Sequence, residues 1–177
     1  MNQNIQRKNL IIYSLNCNSI NNKLGELKKL LLDRQPDIVC LCETWLSERF
    51  VPKFDNYIAE WKHRGSAGGG LGLLIHKNVQ HRKLVVSDFA GGVLEAQAVQ
   101  IHMRSSEPLN ILNIYNPNKN VTVEEFEHYL GMIGNKFLAI GDFNAHSPVL
   151  DSTVRSSNPT GRSLESCLLY TSDAADE

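Results

Sequence analysis

Apolar residues along this chain alternate between short continuous runs and helical spacing, and the order of the two predicts an α/β domain. Asn9 to Leu15 (NLIIYSL) predicts a strand that runs into the polar stretch Asn16-Cys17-Asn18-Ser19. Ile20, Leu24, Leu27 and Leu31 then recur at helical spacing, and Pro36 ends that helix. Asp37 to Cys42 (DIVCLC) is a continuous apolar run, the pattern of a strand buried on both faces, and it delivers Glu43 at its C-terminal end. Four further strands are predicted at Tyr57 to Trp61, Leu71 to His76, Arg82 to Val86 and Val99 to Met103. Leu109 to Tyr115 alternates and stops at the turn signal Asn116-Pro117-Asn118. Thr122-x-x-Glu125 has the form of a capping box, opening a helix that carries Phe126, Leu130 and Ile133 on one side. Phe137 to Ile140 predicts the last buried strand, followed directly by Gly141-Asp142-Phe143-Asn144. There is no internal repeat and no low-complexity linker.

The 177 residues suit one domain, and 42% hydrophobic with 21% charged residues excludes bulk disorder. No apolar run reaches membrane-spanning length, and the polar start from Met1 to Asn9 lacks a secretory core, so an intracellular protein is expected. The net charge of −1 advertises no strongly basic surface, so any nucleic-acid contact must be local. The last eleven residues, Cys167 to Glu177, resemble the translation of a transposase-based sequencing adapter. They are therefore set apart from a domain at 1–166, with the expectation that 167–177 pack against nothing specific. Without the tail's three acids the net charge becomes +2. Cys17, Cys40 and Cys42 cannot close a disulfide framework. Cys40 and Cys42 share one face of a strand and are expected to be buried hydrophobes.

Several motifs carry ordinary explanations. The cluster Gly65, Gly68, Gly69, Gly70 lacks the Gly-Lys-Ser/Thr of a phosphate loop and reads as a turn, although Arg64 beside it can meet a phosphate. His146 is expected to be solvated, and Trp45 to pack, to face DNA, or both, with packing favoured. The strand ends differ. Asn16 and Asn18, Glu43, Tyr115, and Asp142 with Asn144 each follow a predicted buried strand, and such ends converge in one crevice of an α/β sheet. Carboxylates and amides without a Cys or His cluster form an oxygen-ligand set suited to Mg²⁺ or Mn²⁺.

The blocks Ser14-Leu15-Asn16-Cys17-Asn18, Pro36 to Thr44, Tyr115-Asn116-Pro117-Asn118 and Gly141-Asp142-Phe143-Asn144, in that order, resemble the endonuclease/exonuclease/phosphatase superfamily. Glu43-Thr44-Trp45-Leu46, Gly141 to His146 and Asn158 to Glu165 are similar to the endonuclease domains of jockey-like non-LTR retrotransposons. The resemblance implies a DNase I-like, two-sheet β-sandwich flanked by helices, incomplete at its C-terminus. It implies hydrolysis of double-stranded DNA to a 3′-hydroxyl end, with a reverse transcriptase and element RNA as partners in a longer protein, and nuclear action. It assigns Glu43, Asn16 and Asn18 to the metal, Asp142 to the attacking water, and Asn144 to the scissile phosphate. Tyr115 is assigned to the developing charge, and Asn118 with Arg64 to phosphate or DNA contacts. The superfamily's closing Ser-Asp-His block does not occur here, so efficient nicking by this chain is not expected. A superfamily phosphatase acting on a phosphorylated lipid or nucleotide, and an inactive binding relic, are the alternatives.

Overall fold

The computed structural model describes residues 9–65, 68–103 and 107–173. Eight strands form two four-stranded sheets. The first sheet contains β1 (Ile12–Asn16), β2 (Ile38–Cys42), β3 (Tyr57–Lys62) and β4 (Leu71–His76), in the order β1-β2-β4-β3. The second contains β5 (His81–Leu84), β6 (Glu95–Ile101), β7 (Leu109–Tyr115) and β8 (Phe137–Asp142), in that order. Ile38, Cys40, Leu73 and Ile75 of the first sheet meet Val99, Ile101 and Ile111 of the second, and this layer is the centre of the sandwich. The outer faces are covered by helices. α1 (Leu24–Arg34) sets Leu27 and Leu31 against Val39, Leu41 and Leu74. α2 (Val123–Met132) sets Phe126, Tyr129 and Leu130 against Ala96, Ala98, Leu112 and Ile114. The two-sheet sandwich flanked by helices is the fold class read from the sequence.

The two parallel pairs decide where the chemistry lies. β1 pairs parallel with β2 and β7 with β8, while every other pairing is antiparallel. A parallel pair needs a crossover, and α1 and α2 supply one each. Both βαβ units therefore deliver the C-terminal ends of their strands together. Asn16 lies in register with Cys42, and Tyr115 with Asp142. Both β1 and β2 pack against β8, which brings the two sets of ends side by side.

The structure departs from the sequence reading in four places. The helix expected from Ile20 is broken, because Ile20–Asn22 form a separate 3₁₀ turn before α1. The cause is a tether: Ser19, in the left-handed region at φ 77°, donates its N–H to the Glu43 carbonyl, and Ile20 donates to that of Thr44. β6 begins at Glu95 rather than Val99. Glu95 and Gln97 lie on the same face as Val99 and Ile101, so two polar residues on an inward face disguised the strand's first half. The strand at 81–84 starts and ends earlier than the predicted Arg82 to Val86. The fourth departure is a third helix, α3 (Pro159–Asp173), which continues through the boundary expected at Ser166.

Cys167 overturns the expectation that the tail packs against nothing. It is 0% exposed and belongs to the cluster of Leu94, Leu112, Phe126 and Tyr129. Removing 167–177 is accordingly expected to cost roughly 1–2 kcal/mol, the scale of losing one small buried side chain and the end of a docked helix. Urea unfolding of the full and shortened chains measures this, and coincident midpoints would refute it.

Candidate active site

The site is assembled from strand ends held in unusual backbone. Of the residues singled out from sequence, Asn18, Glu43, Asn118 and Asn144 all have positive φ (42°, 53°, 57° and 46°), as does Trp45 at 51°. Non-glycine residues in this region cost on the order of 1 kcal/mol each and persist only where their surroundings hold them. The holding bonds are visible. Thr44 and Trp45 donate their N–H groups to the carbonyls of Gly70 (3.1 Å) and Gly69 (2.9 Å), and Cys17 donates to that of Cys42 (2.8 Å).

One amide joins the two sheets. The Asn16 Nδ2 donates to Glu43 Oε1 (2.9 Å) and to Asp142 Oδ2 (2.8 Å), 126 residues away in sequence. Asn18 donates its backbone N–H to Asn16 Oδ1 (3.0 Å), which fixes the amide with its nitrogen toward the carboxylates. Asn16 therefore acts here as a clamp on both acids, not as an oxygen donor beside them. The Tyr115 hydroxyl hydrogen-bonds Glu43. Burial first, then that bond and the charge of Glu43, with Glu95 and Asp142 adding, push the Tyr115 phenol well above its ordinary range. It therefore stays a protonated donor. Glu43 and Asp142 are half-buried and Asn16 is exposed, so the cluster opens to solvent.

Asn144 is placed by a second network. Its backbone N–H donates to Asp142 Oδ1 (3.3 Å), and its Nδ2 donates to the Asn116 carbonyl (2.8 Å). Asn116, read from sequence only as part of a turn, is fully buried and staples the two loops. Its backbone N–H donates to the Asp142 carbonyl (2.8 Å) and its Nδ2 to the carbonyls of Phe143 (3.0 Å) and Lys119 (2.9 Å). Asn158 adds a third tie, its Nδ2 donating to the Asn144 carbonyl (2.8 Å). Both are asparagines in loops, and no periodicity marks such residues.

The remaining expected residues stand further out. Asn18 and Asn118 are exposed, and neither side chain bonds either carboxylate among the described residues. Arg64 lines a groove of about 580 Å³ with Trp45, Arg49, His63 and Gly68. Trp45 is 46% exposed, nearer the outward-facing reading than the favoured packing one, and its ring forms part of this groove wall. Glu95 was missed. Its Oε2 accepts from the Gly70 N–H (2.7 Å), its Oε1 lies 3.5 Å from Arg64 Nε, and burial holds its carboxyl above the usual range.

The donor set fits a small hard cation. Two carboxylates at an open mouth match Mg²⁺, which keeps several waters and takes one or two carboxylates plus substrate phosphate. No group of three or more His, Cys, Asp or Glu poised for a metal occurs among the described residues, so this is not a closed, all-protein cage.

The cysteines stand apart from this chemistry. All four are free and buried. Burial, with the charge of Glu43 adding, pushes the Cys17 thiol from 9.0 up to about 11. Burial raises Cys42 to about 12 and Cys40 further still. Iodoacetamide at pH 8 is thus expected to label none of the four in the folded chain and all of them in denaturant, read by mass spectrometry. The folded thiols titrate above the unfolded ones, so their contribution to stability is complete below pH 9 and is lost as pH rises through about 11 to 12. Rapid labelling of the native chain would contradict this placement.

The molecule is thus a layered α/β sandwich with an acidic, amide-clamped cluster at one end of its strands. A family model described as the Endonuclease/Exonuclease/phosphatase family matches residues 13–163, and the chain belongs to that family. It is 27% identical over 134 residues to the probable RNA-directed DNA polymerase from transposon X-element of Drosophila melanogaster. That match takes in 73% of this chain but spans only 14% of the polymerase. The endonuclease domain of TRAS1, a telomere-specific non-LTR retrotransposon, superposes with a TM-score of 0.70 at 13% identity, covering 90% of this chain and 70% of that one. An AP endonuclease from Archaeoglobus fulgidus superposes with a TM-score of 0.61 at 19% identity, covering 92% and 71%. At these identities the two structures establish the fold. Among the described residues no helix is long and apolar enough to cross a membrane.

Proposed function

We propose that this chain is a divalent-metal-dependent DNA endonuclease module of the kind that serves a retrotransposon reverse transcriptase. The observation that carries the reading is the Asn16 amide holding Glu43 of one sheet and Asp142 of the other on a single nitrogen. Two carboxylates gathered at the open ends of strands suit Mg²⁺ or Mn²⁺ and a phosphodiester better than they suit a structural role. The similarity to a transposon polymerase and to a retrotransposon endonuclease domain favours DNA over a phosphorylated lipid. So does the groove carrying Arg49 and Arg64 beside an exposed Trp45, because cations and an aromatic ring suit a polynucleotide strand.

In this reading Glu43 holds the metal, with Asn16 and Asn18 ordering its surroundings. The ion, when bound, neutralises charge on the phosphoryl and leaving oxygens. Asp142 accepts a proton from the attacking water, whose oxygen forms the new bond to phosphorus while the P–O3′ bond breaks and the O3′ oxygen, keeping the electron pair, takes a proton from solvent. The Asn144 amide positions the phosphate, and the Tyr115 hydroxyl donates to its developing charge. Asn118 and Arg64 contact the flanking strand. Acting on chromosomal targets, such a module works in the nucleus on double-stranded DNA, beside a reverse transcriptase and element RNA.

The end chemistry tests the reading. Plasmid nicked in Mg²⁺ is expected to be extended directly by a DNA polymerase, because the product carries a 3′-hydroxyl. Release of inorganic phosphate from phosphate monoesters, without any nick, would favour the phosphatase alternative instead.

A further inference from the structure

We propose that Glu95 is a positioning residue for Glu43: a buried carboxylate that latches the Gly68–Gly70 loop and, through it, fixes the conformation of the metal-holding segment. The inference rests on the reading of Glu43 as the metal ligand.

The connection is continuous. Glu95 opens β6 in register with Tyr115, and its side chain is only 12% exposed. Its Oε2 takes the Gly70 N–H at 2.7 Å. The carbonyls of Gly70 and Gly69 then receive the N–H groups of Thr44 and Trp45, on the C-terminal side of Glu43. The Glu43 and Thr44 carbonyls in turn receive Ser19 and Ile20, both at 3.0 Å. Glu43 and Trp45 both have left-handed backbone, and this ladder keeps them there.

The loop is shaped to fit the carboxylate. Gly68, Gly69 and Gly70 all have positive φ. A Cβ at Gly69 would fall onto Glu95 Oε1, and one at Gly70 would lie 2.7 Å from Thr44 Oγ1. The glycines thus allow the backbone to approach the acid closely enough to bond it.

A purely structural role accounts poorly for this residue. Burying a carboxylate is costly, and an apolar side chain of similar volume often serves stability as well or better. Among the described residues one oxygen, Oε1, is buried without a hydrogen bond, with the partly exposed Arg64 guanidinium beside it at 3.5 Å. What the carboxylate provides, and an apolar residue cannot, is an acceptor for Gly70. Residues behind a metal ligand act in this way, and their loss typically weakens metal binding by about 10–100-fold.

The test uses the full chain with Glu95→Met, which keeps similar bulk but offers Gly70 no acceptor, beside Glu95→Gln, whose amide oxygen still accepts and is expected to restore parent behaviour. In Glu95→Met, amide hydrogen exchange is expected to quicken at least about 10-fold at Thr44 and Trp45, while amides of β6 and β7 keep their protection. Mn²⁺ affinity, read from the free-ion electron paramagnetic resonance signal, is expected to fall about 10-fold. Unchanged exchange at Thr44 and Trp45 in a folded Glu95→Met chain would overturn the proposal. So would faster exchange with wild-type Mn²⁺ affinity. Failure of the metal reading looks different: the parent chain would take up no Mn²⁺, or Glu43→Gln would bind it equally well, while exchange still decides the latch.

Discussion

Gly141→Ala is expected to destabilise the fold severely. Gly141 has φ 145°, in a region that L side chains rarely adopt, and it pairs in parallel register with Ile114. A Cβ there would fall onto the Ile114 carbonyl oxygen and lie within 3.0 Å of the Ile114 backbone nitrogen. Those atoms belong to β7, at the middle of the second sheet, and cannot retreat as the end of a flexible side chain could. Relief requires β7 and β8 to part, and with them the crossover packing of α2. A loss above about 4 kcal/mol is expected, a large share of the roughly 5–15 kcal/mol that holds a typical domain together. Circular dichroism on heating should show either no transition or a midpoint lowered by about 10 °C or more. A melt matching the parent chain would mean that β8 does not pair with β7 as described. The same glycine explains the order Gly-Asp-Phe-Asn, since close approach at Gly141 is what carries Asp142 to the strand end opposite Tyr115.

The second large effect is on metal uptake. Glu43→Gln preserves the shape of the side chain and its ability to accept from Asn16, but removes a negative charge from a site that holds two carboxylates on one amide nitrogen. Mg²⁺ and Mn²⁺ depend on charged oxygen donors, and the site is open, so lost protein charge is replaced only by water. Mn²⁺ affinity is expected to fall about 100-fold, the upper end of what even an indirect partner of a metal site is worth. The change should leave the melting midpoint nearly unaltered, because Glu43 lies at the rim of the sheets rather than between them. Equal Mn²⁺ binding by parent and Glu43→Gln would remove Glu43 from the centre.

How far the sequence reveals this depends on what kind of force sets each feature. β2 was legible because it is buried on both faces and therefore continuously apolar. Glu43, Tyr115 and Asp142 were legible because each is the first strongly polar group, or the last ring, after such a run. The N-cap at Thr122 was legible as well, its Oγ1 accepting from the Glu125 N–H at 3.2 Å. The reciprocal half of the expected box was not: the Glu125 carboxylate turns away to accept from Val93 and Leu94, both at 2.7 Å, a tertiary contact that no local pattern encodes. Glu95 and Gln97 hid the start of β6 for the same reason, being polar side chains on an inward face. α3 was hidden by Pro159-Thr160-Gly161, poor helix formers, and by the adapter-like run that contains its buried Cys167. For Trp45 burial tendency favoured packing over an outward ring, but that tendency is an average, and this ring stands 46% exposed on a groove wall.

The central claim is that Glu43 and Asp142, from different sheets, form one phosphodiester-cleaving centre. Its most direct measurement is the conversion of supercoiled plasmid to open circle by an excess of the chain, in Mg²⁺ and in EDTA, beside Asp142→Asn. The account predicts nicking that needs Mg²⁺ and drops by about 10²–10⁴-fold in Asp142→Asn, the usual consequence of losing a general base. Nicking that survives EDTA, or that proceeds equally in Asp142→Asn, would contradict it.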